Sequence, residues 1–129
     1  MHQALNPASV RTPFGNYSHG ALAPAGQRWI LTSGQLAIRS DDSIPESVTE
    51  QTELIFANIA AILAEGAMTL ADIVRINAFV TDRAYMREYM QVRDRVVGSP
   101  PPASTLVIVS GFTRPEFKVE IEVTAARDL

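Results

Sequence analysis

The chain predicts an α+β fold: a mixed sheet of about six strands with two helices packed on one face. Three observations carry this reading. The segment Phe117-Lys118-Val119-Glu120-Ile121-Glu122-Val123 alternates apolar and polar residues, the period of a strand with one buried face. Val48, Thr52, Ile55, Ile59 and Ile62 recur at three- and four-residue spacing, the stripe of an amphipathic helix. The elements also run strands, helix, strand, helix, strand, strand. A pair of helices cannot cover both faces of such a sheet, so one face is left for solvent or for other subunits.

Taken in order, residues 1–20 are rich in Pro, Asn, Gly and Ser and read as irregular, with room for one short strand. The turn signal Pro24-Ala25-Gly26-Gln27 precedes Arg28-Trp29-Ile30-Leu31-Thr32-Ser33, a strand ending at Gly34. Ser43 and Glu46 have capping-box spacing, and Pro45 is tolerated in a first turn, so the first helix is expected from there to Glu65, with Gly66 as its stop. Ile73 to Val80 is β-branched and apolar on both faces, as in a central strand, and this favours subunit contact over solvent on the second face. Thr81-Asp82 caps a second helix over Arg83 to Val97, with Met86, Tyr89, Met90 and Val96 inward and Arg87, Glu88, Arg93 and Asp94 outward. Gly98 and the three prolines after Ser99 end it. Thr105 to Val109 and Phe117 to Thr124 complete the strands. No linker or repeat divides the chain, so residues 1–129 form one domain.

Composition excludes several classes. A chain of 129 residues buries enough surface to fold without a staple, and it has no cysteine, hence no disulfide framework and no thiolate metal or redox site. His2 and His19 lack metal-ligand spacing. A formal charge of −3, with scattered arginines and no basic run, argues against a nucleic-acid partner. No stretch is long and apolar enough to span a membrane, and no secretory pattern opens the chain, so the cytoplasm is the expected location.

The last strand holds the first chemical candidate. Glu120 and Glu122 lie two residues apart and face the same way, beside the chain's only lysine, Lys118. On pattern alone a solvent-facing strand explains them as well as a site does. Lys118 shows no sign of the desolvation that Schiff-base chemistry needs. Asn77, in mid-strand, needs a partner if buried.

Several segments together resemble the Rid/YjgF family of reactive-intermediate deaminases, also labelled L-PSP endoribonuclease-like. They are Gly15-Asn16-Tyr17-Ser18, Leu31-Thr32-Ser33-Gly34-Gln35, Ile59-Ala60-Ala61-Ile62-Leu63-Ala64-Glu65, Phe79-Val80-Thr81-Asp82, Pro102-Ala103 and Val119-Glu120-Ile121-Glu122. Their order and spacing follow the family over nearly the whole chain. The resemblance implies a chorismate-mutase-like α+β fold assembled as a homotrimer, with sites in the clefts between subunits. It implies hydrolysis of enamines and imines to a ketone or keto acid and ammonia, with no metal or cofactor.

By this resemblance Glu120 positions and activates the hydrolytic water, Tyr17 lies over the ligand, and Ser33 and Gly34 line the pocket. A carboxylate at a partly desolvated interface can shuttle the proton that this chemistry needs. Glu122 is a bystander beside it. The sequence departs from the family at two positions. Ser104, followed by Thr105, stands where the best-known members place an arginine that holds the substrate carboxylate, and Met90 stands where they place an asparagine. Three readings stay open. Ser104 and Thr105 bind a neutral or differently shaped imine while Glu120 catalyses; Arg114 or Arg75 supplies the missing cation; or the trimer binds or senses a metabolite without turnover.

Overall fold

The computed structural model describes residues 1–129. Seven strands and two helices run β1 (Gln3–Leu5), β2 (Gly20–Leu22), β3 (Gln27–Leu31), β4 (Gln35–Leu36), α1 (Val48–Glu65), β5 (Ile73–Val80), α2 (Met86–Val96), β6 (Ala103–Ile108) and β7 (Val119–Asp128). The main sheet has the order β3-β7-β5-β6, with β4 continuing the line of β3 along β7. The β5–β6 pairing is parallel and the others are antiparallel, so the sheet is mixed, as expected. It has five strands rather than six; β1 and β2 form a separate antiparallel ribbon.

α1 starts one turn later than its sequence suggests. Ser47 is the cap, and its hydroxyl accepts from the Glu50 backbone N–H. Ser43 instead donates its hydroxyl to Asp41 in the preceding turn, so the local side-chain bond outcompetes the helix start. Ile55, Phe56, Ile59 and Leu63 of α1 are fully or almost fully buried in one cluster with Ile76 and Ala78 of β5 and Val119 and Ile121 of β7. Each of the Ile, Leu, Val and Phe side chains among them contributes about 1.5–3 kcal/mol by leaving water. Both helices supply this core, and neither reaches the other side of the sheet.

A bulge in β5 between Ile73 and Arg75 lets Ile73 and Val74 both be buried. After it the alternation is regular: Ile76, Ala78 and Val80 face the helices, and Arg75, Asn77 and Phe79 face the open side. β5 is therefore central, but its second face is only partly apolar. Register sets the rows of that open face: Thr105, Asn77 and Glu122 in one, Val107, Phe79 and Glu120 in the next. Trp29 and Leu31 extend it through β3 and are 50% and 72% exposed.

Gln51, with no exposed surface, ties the start of β7 to α1. Its amide donates to the carbonyls of Pro45 (2.9 Å) and Glu116 (2.8 Å), and its side-chain oxygen accepts from the Lys118 N–H at 2.9 Å. A buried amide used this fully fixes the entry of β7, two residues before Glu120.

Candidate active site

Glu120 sits on the open face of β7, opposite Phe79 on β5 and Leu36 on β4. Its carboxyl packs against Gly34: a Cβ on Gly34 would lie 2.7 Å from Glu120 Cδ and 2.9 Å from Oε2. Glycine is needed here because the carboxyl approaches the backbone, not because of an unusual backbone angle. Partial burial is the main cause holding the Glu120 carboxyl above the usual carboxylate range, and the Glu122 charge adds to it. Ser33 is exposed beside Gly34, its carbonyl accepting from the Gln35 side-chain amide at 3.2 Å.

Tyr17 and Ser104 lie on the other side of the sheet. Ser104 pairs in register with Ile76, so it faces α2 rather than the open side. A cavity of about 270 Å³ opens there, lined by Tyr17, Met86, Met90, Arg93, Ser104 and Leu106, with the exposed Phe14 ring at its edge. Thr105, the next residue, points to the open face and accepts from Arg75 Nη2 at 2.6 Å. Strand alternation thus separates Ser104 from Thr105, and a single site using both needs more than one chain's surface.

Arg93 is the residue that sequence reasoning missed. It was expected outward, yet only 5% of its side chain is exposed. The N-terminal loop covers this stretch of α2. Gly15 approaches so closely that a Cβ there would lie 3.0 Å from Arg93 Nη2. Asn16 donates its backbone N–H to the Asp94 carboxylate and its amide to the Asp94 carbonyl, at 3.3 and 2.8 Å. The Arg93 guanidinium lies 5.7 Å from the Tyr17 ring centre and 5.8 Å from that of Tyr89, within cation–π range. Its Nε and Nη2 both donate to one oxygen of Asp94, at 3.0 and 2.9 Å. The available signal was spacing: Arg93 is four residues from inward Tyr89, on the same helix face.

The other candidate cations are elsewhere. Arg75, on the open face, donates to Asn77 and Thr105. Arg114 pairs with Glu116 at 2.9 Å in the exposed loop before β7. Neither lines the Ser104 cavity. The hydroxyls of Tyr89 and Ser104 are buried neighbours with Arg93 close by, and neither meets hydrogen-bond geometry with a partner. Burial, opposed by Arg93, pushes the Tyr89 phenol up to about 12, so it stays protonated. No three His, Asp or Glu side chains converge in a way that could hold a metal, and no helix is long and apolar enough to cross a membrane.

A family profile described as Endoribonuclease L-PSP matches residues 8–127. The chain belongs to the Rid/YjgF family. Among its relatives, the protein mmf2, mitochondrial, of Schizosaccharomyces pombe is 31% identical over 99 residues, covering 75% of this chain and 79% of that protein. The RutC family protein YjgH of Escherichia coli is 27% identical over 120 residues, covering 92% and 91%. The Rid-family protein YyfB of Yersinia pestis, described as of unknown function, superposes with a TM-score of 0.83 at 25% identity, covering 98% of each chain. The α+β fold of this Rid/YjgF chain is therefore that of its solved relatives.

Proposed function

We propose that this protein hydrolyses reactive enamines or imines to a ketone or keto acid plus ammonia. The observation that carries the reading is the Glu120 carboxyl, packed on Gly34 and held above the usual carboxylate range. A base with its proton affinity raised above that of an ordinary carboxylate suits a step in which a proton is first taken and then returned. Water attacks the iminium carbon and loses a proton to Glu120. The carbinolamine nitrogen then takes that proton from Glu120, its carbon–nitrogen bond breaks as ammonia leaves, and the carbinolamine hydroxyl gives its proton to the Glu120 carboxylate as the carbonyl forms. Tyr17, Ser33, Gly34, Ser104 and Thr105 would surround the substrate, and the reaction as written needs no cofactor.

In one chain the Glu120–Gly34 pair and the Tyr17–Ser104 cavity lie on opposite sides of the sheet. This favours a site completed by a second copy, in a homotrimer packed through the open face, where Trp29, Leu31 and Val107 are exposed. Light scattering at assay concentration should give three times the chain mass; a monomer would remove the shared site. A cytoplasmic location goes with this reading. The net charge of −3 gives no support to an RNA partner.

The second reading is a metabolite-binding trimer without turnover, and Ser104 in place of an arginine favours it. The test is imine consumption and ammonia release by the parent and by Glu120→Gln. Hydrolysis by the parent, lost by about a hundredfold or more in the variant, supports catalysis at Glu120. No turnover with any imine, or a fully active variant, refutes it.

A further inference from the structure

We propose that Arg93 is the specificity-determining residue of the Tyr17–Ser104 cavity, holding the carboxylate of a ligand whose apolar body lies on Met86, Met90 and Leu106. The cation comes from α2 and not from β6, where Ser104 stands. It rests on the proposed function only in treating the cavity as the substrate's.

The guanidinium is already desolvated and lies within cation–π range of two tyrosine rings. Asp94 occupies Nε and Nη2 through a single oxygen, and Nη1 carries no hydrogen bond. A guanidinium offers five donors in a fixed plane, so one edge remains open to an acceptor. The Ser104 hydroxyl, on the cavity wall, is buried with no partner in hydrogen-bond geometry, an unusual state for a buried polar atom. Ser104, which lines the cavity with Arg93, can donate to the same head group.

The remaining walls are apolar, and thioethers suit an aromatic or branched body. The cavity, about 270 Å³, is below the usual range for drug-sized ligands. Asp94 balances Arg93, so bulk positive charge does not draw the anion in. Selection for a carboxylate arises from unused donors of a buried guanidinium beside apolar walls, where charge-assisted bonds count most. An amide of the same shape offers one weaker acceptor and leaves donors unpaired.

The test compares phenylacetate with phenylacetamide by calorimetry or ligand-observed NMR. In the parent, the acid should bind about tenfold or more tightly than the amide, and Arg93→Gln should abolish that preference. Arginine side-chain NMR of the parent supplies a readout without a variant: the Arg93 Nε–H signal should shift saturably with phenylacetate. Absence of saturable acid binding, equal affinity for acid and amide, or a preference retained in folded Arg93→Gln would each overturn the proposal. Glu120→Gln separates the two claims. Lost turnover with acid binding intact supports both, whereas retained turnover sinks the Glu120 mechanism and leaves Arg93 standing.

Discussion

Replacing Gly34 by alanine puts a methyl group where the Glu120 carboxyl now sits. The added Cβ would lie 2.7 Å from Cδ and 2.9 Å from Oε2, whereas carbon atoms in contact rest about 3.5–4 Å apart. The carboxyl must therefore retreat by about 1 Å. It is the end of a flexible side chain on the open face, so it can move without disturbing the core. Gly34 has no positive φ, and Gly→Ala at a compatible position tends to stabilise by about 0.4–1 kcal/mol through the unfolded chain. The expected phenotype is dissociated: a melting temperature equal to or slightly above the parent's, with imine hydrolysis reduced about a hundredfold, the usual cost of a 1 Å misplacement at a reacting centre. Steady-state ammonia release alongside thermal melts checks it. A variant within threefold of parental kcat/KM would show that the Gly34–Glu120 contact does not position the base.

Two further perturbations address the same strand. Glu122 helps to hold the Glu120 carboxyl up, so Glu122→Gln should move the acidic limb of the pH–rate profile to lower pH. The sign follows because a base of lower proton affinity stays ionised further into acid; an unmoved or oppositely moved limb counts against the coupling. The raised Glu120 carboxyl also destabilises the folded chain once pH climbs through the range between its unfolded and folded values, so Glu120→Gln should raise the melting temperature at neutral pH and lose that gain in acid. Gln51→Leu leaves the carbonyls of Pro45 and Glu116 and the N–H of Lys118 without their partner, at about 1–3 kcal/mol for each group that stays buried. Urea denaturation should show that loss, and hydrogen exchange should speed at Lys118 and Val119 before it does so in α1.

Periodicity made the main elements legible. The α1 stripe and the β7 alternation each have one buried and one open face, so core packing and sequence pattern agree there. The helix start at Ser47 was hidden by a competing turn between Asp41 and Ser43. The bulge in β5 was hidden because Ile73 and Val74 are apolar whether or not the register slips. The β7 alternation singled out Glu120 as a candidate, whereas pairing it with Gly34 rested on the family resemblance, since no local pattern brings residues so distant in sequence into contact. Arg93 failed for the opposite reason. Charge pointed it outward, and what buries it is an irregular loop whose path no periodicity describes.

That loop gives the Gly15-Asn16-Tyr17-Ser18 motif a physical account. Gly15 lets the chain pass close to Nη2 of Arg93, Asn16 holds Asp94 by two hydrogen bonds, and Tyr17 lays its ring over the guanidinium. Ser18 then donates its hydroxyl to the Pro101 carbonyl and its N–H to that of Pro102, just before β6. The motif therefore joins two elements distant in sequence, the end of α2 and the start of β6, around one cavity. Tyr17 therefore serves both features, its ring lying over the cation while the residue also lines the cavity. Substituting Tyr17 should weaken ligand binding even if its hydroxyl never touches the substrate, because an Arg93 returned to water loses the advantage of its unused donors. In Tyr17→Phe the ring remains, so the acid-over-amide preference should persist; in Tyr17→Ala it should collapse.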